Sequence, residues 1–156
     1  MGEHARILVV DDDESIRTVL TTVLEESGYT VDTAESGKEA IDKTKRNFYN
    51  LTLFDIRLPD IEGTKLIAKV KETTPRMRKI IVTGYPSLQN AVEALNKGAD
   101  AYIMKPFDME KVLKTIDEQL RNQEEERKYS QEKVTEFIET RVKELEEEKS
   151  ISQKKR

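Results

Sequence analysis

Four groups of polar residues in this 156-residue chain carry side chains suited to binding a cation and a phosphoryl group. They are Asp11 with Asp12, Asp55, Thr83 and Lys105, and each stands at the C-terminal end of a short apolar run. Carboxylates that lie close together repel one another, and Mg²⁺, which prefers oxygen ligands, would neutralise them. A carboxylate can also act as a nucleophile toward phosphorus. These residue types therefore point to metal-assisted phosphoryl transfer.

In-line phosphoryl transfer to a carboxylate needs three groups around the phosphoryl oxygens: a metal ion, a second cation and a hydrogen-bond donor. Mg²⁺, the ammonium of Lys105 and the hydroxyl of Thr83 match these requirements. Either side chain alone would be an ordinary strand or loop residue. Their functional interpretation depends on the carboxylates that they are expected to face.

The apolar runs alternate with stretches of helical periodicity, which places the polar groups in a definite architecture. Five strands alternating with five helices predict an α/β fold, in which right-handed crossovers build a parallel sheet covered by helices on both faces. The C-terminal ends of parallel strands share one edge, so the four polar groups should meet there. The strands are predicted at Arg6–Val10, Thr30–Ala34, Leu51–Phe54, Lys79–Val82 and Ala101–Met104.

The composition excludes several classes of site. The absence of cysteine rules out disulfides, thiolate zinc sites and cysteine nucleophiles. No apolar stretch approaches the ~20 residues that span a bilayer, and the N-terminus lacks a signal-peptide pattern. The net charge of −4 argues against direct binding to nucleic acid. We therefore expect a cytoplasmic protein with no membrane contact.

The segments VVDDDESIR, LTLFDIRLPDIEG, IIVTGY and AYIMKPF resemble the CheY-like receiver domain of response regulators in two-component signalling. The stretch from Thr83 to Phe107 is similar to receivers of the nitrogen-regulation type. The resemblance covers about Arg6 to Leu120. It implies a doubly wound, flavodoxin-like (βα)5 fold with strand order 2-1-3-4-5.

The resemblance also implies a role for each matching residue in the metal site. It makes Asp55 the phosphoacceptor and one of the Mg²⁺ ligands. Asp12 would bind Mg²⁺ directly, Asp11 would act largely through water, and the backbone carbonyl of Arg57 would complete the protein ligands. Asp13 is also a candidate ligand, but at the start of a helix an aspartate more often caps the helix, which is the role we expect.

Other matching residues are expected to bind the phosphoryl group or to respond to it. Thr83 and Lys105 would contact the phosphoryl oxygens. Tyr102 matches an aromatic switch position that works with Thr83, although a tyrosine in an apolar strand could equally serve packing. Arg57 and Tyr85 stand at positions that influence the phosphoryl lifetime in this family, and we hypothesise that their bulk shields the acyl phosphate from water. The family usually has a cis peptide before the proline matching Pro106.

The chain beyond Leu120 is expected to differ from residues 1–120, which form the predicted receiver domain. Residues 121–156 are highly charged, and no glycine or proline occurs from Asp108 onward, which predicts one long helix. Val134, Ile138 and Leu145 fit heptad seam positions that Arg141 interrupts, over about two heptads. The tail is therefore either a short coiled coil, dimerising or docking on a partner helix, or a solvated extension. We favour association.

The function expected from all of these features is a phosphoacceptor response regulator that catalyses only its own modification and is not otherwise an enzyme. Its phosphodonor would be a sensor histidine kinase or a phosphotransfer protein. Signalling would pass through protein contacts, including a homodimer formed by the fourth and fifth helices and the tail. The alternatives are a receiver fragment of a larger sensor or phosphorelay protein, a receiver-like scaffold that does not depend on phosphate, and a Mg²⁺-dependent phosphatase. Such a phosphatase commonly has an acid at the position of Arg57.

Overall fold

The computed structural model describes residues 5–84 and 87–154, in which strands and helices alternate. Each predicted strand is present. The order is β1 (Arg6–Val10), α1 (Glu14–Glu26), β2 (Thr30–Ala34), α2 (Gly37–Arg46), β3 (Leu51–Phe54), α3 (Gly63–Lys69), β4 (Arg78–Thr83), α4 (Leu88–Asn96), β5 (Ala101–Met104) and α5 (Met109–Lys154).

The five strands form one sheet in the order β2-β1-β3-β4-β5. Every neighbouring pair is parallel. The expected doubly wound, flavodoxin-like α/β fold is therefore confirmed. The strand order reverses between β1 and β3, and the carboxyl ends of both strands point to the same edge of the sheet, which is where open α/β sheets bind ligands.

Alternate residues of each strand supply two separate cores, one on each face of the sheet. In β1, Leu8 and Val10 belong to the core formed with α2, α3 and α4. Ile7 and Val9 belong to the core formed with α1 and the first turns of α5. Because both faces of the sheet are covered, β1 is apolar at every position from Ile7 to Val10 rather than alternating apolar with polar residues.

Strand β4 is one residue longer at each end than the sequence predicts. Arg78 joins the strand through its backbone N–H, which donates to the Asn50 carbonyl at 3.0 Å. Its guanidinium lies 3.2 Å from Asp100, and the ammonium of Lys79 pairs with Glu72. These ion pairs explain how two charged residues can be buried at the start of a central strand.

The first turns of α5 belong to the receiver unit, which extends to Gln123, three residues beyond the expected boundary at Leu120. Asp108 accepts a hydrogen bond from the Glu110 N–H at 3.0 Å, as expected for a capping residue. The Gln123 side chain is buried and donates to the carbonyls of Asn50 and Arg76, both at 2.8 Å. An apparently solvated glutamine is thus part of the packed domain.

The second unit, Glu124–Arg156, is helical through Lys154. Its ion pairs join residues three apart, such as Glu124 with Arg127 at 2.6 Å and Arg141 with Glu144 at 3.1 Å. Its large apolar residues are exposed in the structure. They are Tyr129, Val134, Phe137, Ile138, Val142, Leu145 and Ile151.

Candidate functional site

The β1–α1 loop presents Asp11 and Asp12 at the carboxyl edge of the sheet. The Asp11 N–H donates to the Ala34 carbonyl at 3.1 Å, which continues the pairing of β1 with β2. Asp11 is buried, whereas Asp12 is exposed. Arg17 Nη1 donates to the Asp11 carbonyl at 2.8 Å and so holds the loop against α1. Arg17 is a positioning residue that the sequence analysis missed, although it lies within the quoted VVDDDESIR segment.

Asp13 is the N-cap of α1, as predicted. Its side chain accepts hydrogen bonds from the N–H groups of Ser15 at 2.8 Å and Ile16 at 3.3 Å. Its own N–H donates to Asp11 Oδ1 at 2.9 Å. Asp13 therefore caps α1 and also helps to orient the side chain of Asp11.

Asp55 follows β3 and lies beside the β1–α1 loop. Its N–H donates to the Val10 carbonyl at 2.9 Å, and the residue is only 7% exposed. Burial raises the pKa of its carboxyl; the ammonium of Lys105 opposes this effect and the charge of Asp11 adds to it, so that the pKa lies above its ordinary value. A cation at this site would favour the ionised form.

The carboxylates of Asp11, Asp12 and Asp55 form a cluster that fits a hard divalent cation. One oxygen from each lies within 4.8 Å of the others. All the donors are oxygen atoms, and Mg²⁺ is commonly held by one or two carboxylates together with water and phosphate oxygens. The chemistry of this donor set therefore matches the expected ion.

Lys105 brings a positive charge to the same cluster. Its Nζ lies 2.8 Å from Asp11 Oδ2 and 3.5 Å from Asp55 Oδ2. Burial by itself would lower the pKa of Lys105, but its hydrogen bond with Asp11 and the two carboxylate charges raise the pKa overall. Lys105 is therefore ionised at neutral pH. The peptide bond to Pro106 is cis, as expected from the family.

Thr83 is the last residue of β4 and is fully buried. Its carbonyl accepts a hydrogen bond from the Lys105 N–H at 2.7 Å, which links the ends of β4 and β5. Tyr102 pairs with Ile81 in the sheet and packs, partly buried, against the core beneath α2, α3 and α4. Burial raises the pKa of Tyr102. Tyr85 lies outside the described residues.

The loop after Asp55 depends on Gly63, whose role the sequence analysis missed. A Cβ on Gly63 would lie 2.2 Å from the Asp55 carbonyl oxygen, so any other residue would displace the backbone at Asp55. The Gly63 N–H donates to the Ile56 carbonyl at 2.7 Å. The exposed Arg57 forms a bridge with Glu62 and donates its N–H to Asp55 Oδ1 at 3.4 Å. The role of Gly63 could have been predicted from its position as the last residue of the LTLFDIRLPDIEG segment.

The fold and this acidic edge define a class of signalling domain, and the family comparison identifies it. Residues 7–117 match the family model of the response regulator receiver domain, and the chain belongs to that family. Receiver domains are signalling domains rather than conventional enzymes.

Individual relatives agree with this assignment. The chain is 40% identical over 119 residues, or 76% of its length, to the transcriptional regulatory protein ZraR of Klebsiella oxytoca, and covers 27% of that protein. It spans between about a quarter and about half of the length of the curated relatives that it matches.

Two solved structures show the same fold. A CheY-like receiver domain protein from Methanospirillum hungatei has a TM-score of 0.75 at 50% identity, covering 78% of this chain and 98% of that one. The beryllofluoride-activated NtrC4 receiver domain dimer has a TM-score of 0.71 at 41% identity, covering 76% of this chain and 98% of that one. Within the described residues, no helix has the length and hydropathy needed to cross a bilayer.

Proposed function

We propose that Asp55 is the phosphoacceptor of this receiver and that a histidine kinase or phosphotransfer protein is the phosphodonor. The observation that carries the proposal is the juxtaposition of three carboxylates with the Lys105 ammonium at the carboxyl edge of the sheet. The Lys105 ammonium, with a cation held by the carboxylates, would stabilise the negative charge that phosphorylation adds to Asp55.

The proposed reaction is a direct transfer. A carboxylate oxygen of Asp55 attacks the phosphorus, and the bond from phosphorus to the donor imidazole nitrogen breaks. The donor ring carries a proton on its other nitrogen, so the departing nitrogen keeps the electron pair of the broken bond and the donor leaves as a neutral imidazole. Asp12, Asp55 and the Arg57 carbonyl would hold Mg²⁺, with Asp11 acting largely through water. When bound, the ion supplies positive charge to a phosphoryl oxygen.

Lys105 and Thr83 would stabilise the remaining phosphoryl oxygens. The Lys105 ammonium, paired with Asp11 and Asp55 before transfer, lies where a phosphoryl oxygen on Asp55 could accept its hydrogen bond. The Thr83 hydroxyl would donate to another phosphoryl oxygen. This new hydrogen bond would favour the inward orientation of Tyr102, the proposed switch residue. Bulk at Arg57 and Tyr85 would slow hydrolysis by excluding water. Arg57, in place of an acid, also argues against the phosphatase alternative.

The experiment is to incubate the full chain with acetyl phosphate and to treat the product with hydroxylamine, which converts an acyl phosphate to a hydroxamate. We expect the hydroxamate on the peptide containing Asp55, and only when Mg²⁺ is present. No modification in the presence of Mg²⁺ would favour the phosphate-independent scaffold. A hydroxamate on another aspartate would remove Asp55 from its proposed role.

We also propose that the tail associates with the tail of a second copy of this chain. Ile138, Val142 and Leu145 are each about half exposed and follow the four-and-three spacing of a coiled-coil seam. In a parallel coiled coil, valine at an a position with leucine at d favours two strands. This register differs from the one expected from the sequence because Val142 replaces Arg141 in the seam. Arg141 would then flank the seam and face Glu146 of the second copy, which gives complementary charges.

The absence of cysteine makes this arrangement easy to test by oxidative cross-linking. Val142→Cys should form a disulfide dimer of the full chain because a positions meet across a parallel seam, whereas Lys143→Cys on the outer face should not. Beryllofluoride, which activates the NtrC4 receiver dimer, tests whether phosphorylation promotes the association. Equal cross-linking of the two variants, or a monomeric mass under all conditions, would contradict the proposal.

A further inference from the structure

The loop between β3 and α3 is closed at its base and attached to the sheet close to Asp55. Arg57 and Glu62 form an antiparallel bridge, and the Gly63 N–H donates to the Ile56 carbonyl at 2.7 Å. Asp60 lies at the tip of this loop. These contacts hold the base of the loop but not its tip. The position of the tip therefore depends on contacts with other parts of the protein.

Asp60 attaches the tip to the N-terminus of α2 through both carboxylate oxygens. Oδ1 accepts from the Gly37 N–H and Oδ2 accepts from the Lys38 N–H, each at 2.8 Å. Ser36 already caps this helix in sequence, since its hydroxyl accepts from the Glu39 N–H at 3.2 Å. The Asp60 carboxylate thus adds a tie between two segments that are 23 residues apart.

A second contact fixes the same tip. A Cβ built on Gly37 would lie 2.1 Å from Ile61 Cγ2, so the Ile61 side chain occupies the space that the missing Cβ leaves. Ile61 also packs against the core beneath α2, α3 and α4. An alanine at Gly37 would force Ile61 to move without changing a charge.

The carboxylate of Asp60 accepts hydrogen bonds from α2 and does not belong to the carboxylate cluster proposed to bind the metal. Its hydrogen bonds from the Gly37 and Lys38 N–H groups hold its pKa below the ordinary value. The clustered carboxylates in the described residues are those of Asp11, Asp12 and Asp55. Asp60 therefore acts on the site only through the loop that connects it to Asp55.

We propose that Asp60 is a positioning residue that sets the affinity of the site for Mg²⁺. Arg57, whose carbonyl is the proposed backbone ligand, lies between two anchors. Asp55 is fixed two residues earlier by the Val10 carbonyl, and Asp60 is fixed three residues later by α2. Releasing the second anchor leaves only the Arg57–Glu62 bridge and the Gly63 hydrogen bond to hold the ligand carbonyl beside the carboxylates, which we expect to loosen it. This inference rests on the proposed function of Asp55 and on its metal ligands.

The test measures Mg²⁺ binding to the full-length chain by calorimetry, with no phosphodonor present. We expect Asp60→Ala to weaken Mg²⁺ binding about 10-fold, as losses of supporting contacts around metal ligands do. Gly37→Ala should weaken binding in the same direction through Ile61, with no change in charge. At saturating Mg²⁺, both variants should recover phosphorylation by acetyl phosphate, because Asp60 affects occupancy and not the transfer itself.

Two matched variants separate positioning from other effects. Ser36→Ala removes a cap from the same helix but leaves the loop tied, and Glu62→Gln removes a negative charge from the same loop. Both should bind Mg²⁺ like the wild type. Wild-type affinity in Asp60→Ala, or equal losses in a control, would overturn the positioning role alone. A wild-type chain that does not bind Mg²⁺ would overturn the proposed metal site together with it.

Discussion

Lys105 Nζ lies 2.8 Å from Asp11 Oδ2, although the two residues are 94 positions apart in sequence. The same nitrogen is 3.5 Å from Asp55 Oδ2. The ammonium therefore lies between the proposed metal-binding loop after β1 and the proposed acceptor after β3. A phosphoryl group on Asp55 would compete with these carboxylates for the Lys105 ammonium. Phosphorylation would therefore change the hydrogen bonds of Lys105 directly.

Replacing Lys105 should slow phosphorylation. We expect Lys105→Ala to lower the rate constant for transfer from acetyl phosphate about 100-fold at saturating Mg²⁺, because a charged donor to the transferring group is lost. Intact-mass time courses measure this rate. Lys97→Ala removes a lysine that pairs with Glu93 on α4 and should react like the wild type. Comparable rates for the two variants would show that Lys105 does not assist the transfer.

Thr83 should contribute through its hydroxyl and not through its shape. Thr83→Val preserves the buried volume but removes the donor, and we expect phosphorylation to slow by about 10-fold or more. Thr83→Ser keeps the hydroxyl and should retain most of the wild-type rate. The same mass-based time course applies. A valine variant as fast as the serine variant would remove Thr83 from the site.

Gln123 should stabilise the receiver unit. Its side chain satisfies two backbone carbonyls and accepts from Asn50 Nδ2 at 3.3 Å. Gln123→Ala removes three hydrogen bonds, although the Asn50 carbonyl still accepts from the Arg78 N–H, so the free energy of unfolding should fall by about 2 kcal/mol in urea titrations. Asn122→Ala, at an exposed neighbouring position, should change it by less than about 0.5 kcal/mol. Equal effects of the two variants would contradict the docking of Gln123.

The stabilisation contributed by Asp60 should depend on pH. Because hydrogen bonds hold the pKa of Asp60 below its ordinary value, the stabilisation is present above the unfolded-state pKa and is lost as the pH falls through the folded-state pKa. Asp60→Ala should therefore lower the free energy of unfolding, measured in urea titrations, by about 1 kcal/mol at pH 7, as the loss of a helix cap does. The difference from the wild type should shrink below about pH 4. A difference that does not change with pH would mean that the ionised carboxylate is not responsible.

Much of the architecture could be predicted because it depends on local apolar runs and on one general rule. The runs before Asp11 and Asp55 predicted buried strands, and parallel strands bring their carboxyl ends together. Asp13 could be assigned as a cap from its position alone. The family resemblance then supplied the strand order. The metal and phosphoryl roles of the individual residues stay predictions until they are measured.

Other features depend on contacts that no local pattern reports. Lys79 was predicted as the first residue of β4 and Arg78 was predicted outside it, but ion pairs allow both charged residues to be buried in the strand. Gln123 looks like any polar residue of a solvated helix until the carbonyls of Asn50 and Arg76 are brought to it. These partners lie 73 and 47 residues away, so sequence spacing gives no sign of them.

The most direct test of the account is the intact mass of the full chain after incubation with acetyl phosphate and Mg²⁺. The wild type should gain one phosphoryl group, and the gain should disappear when the metal is chelated. Asp55→Asn should gain nothing under the same conditions. An unchanged wild-type mass, or the same gain in Asp55→Asn, would contradict the assignment of Asp55 as the phosphoacceptor.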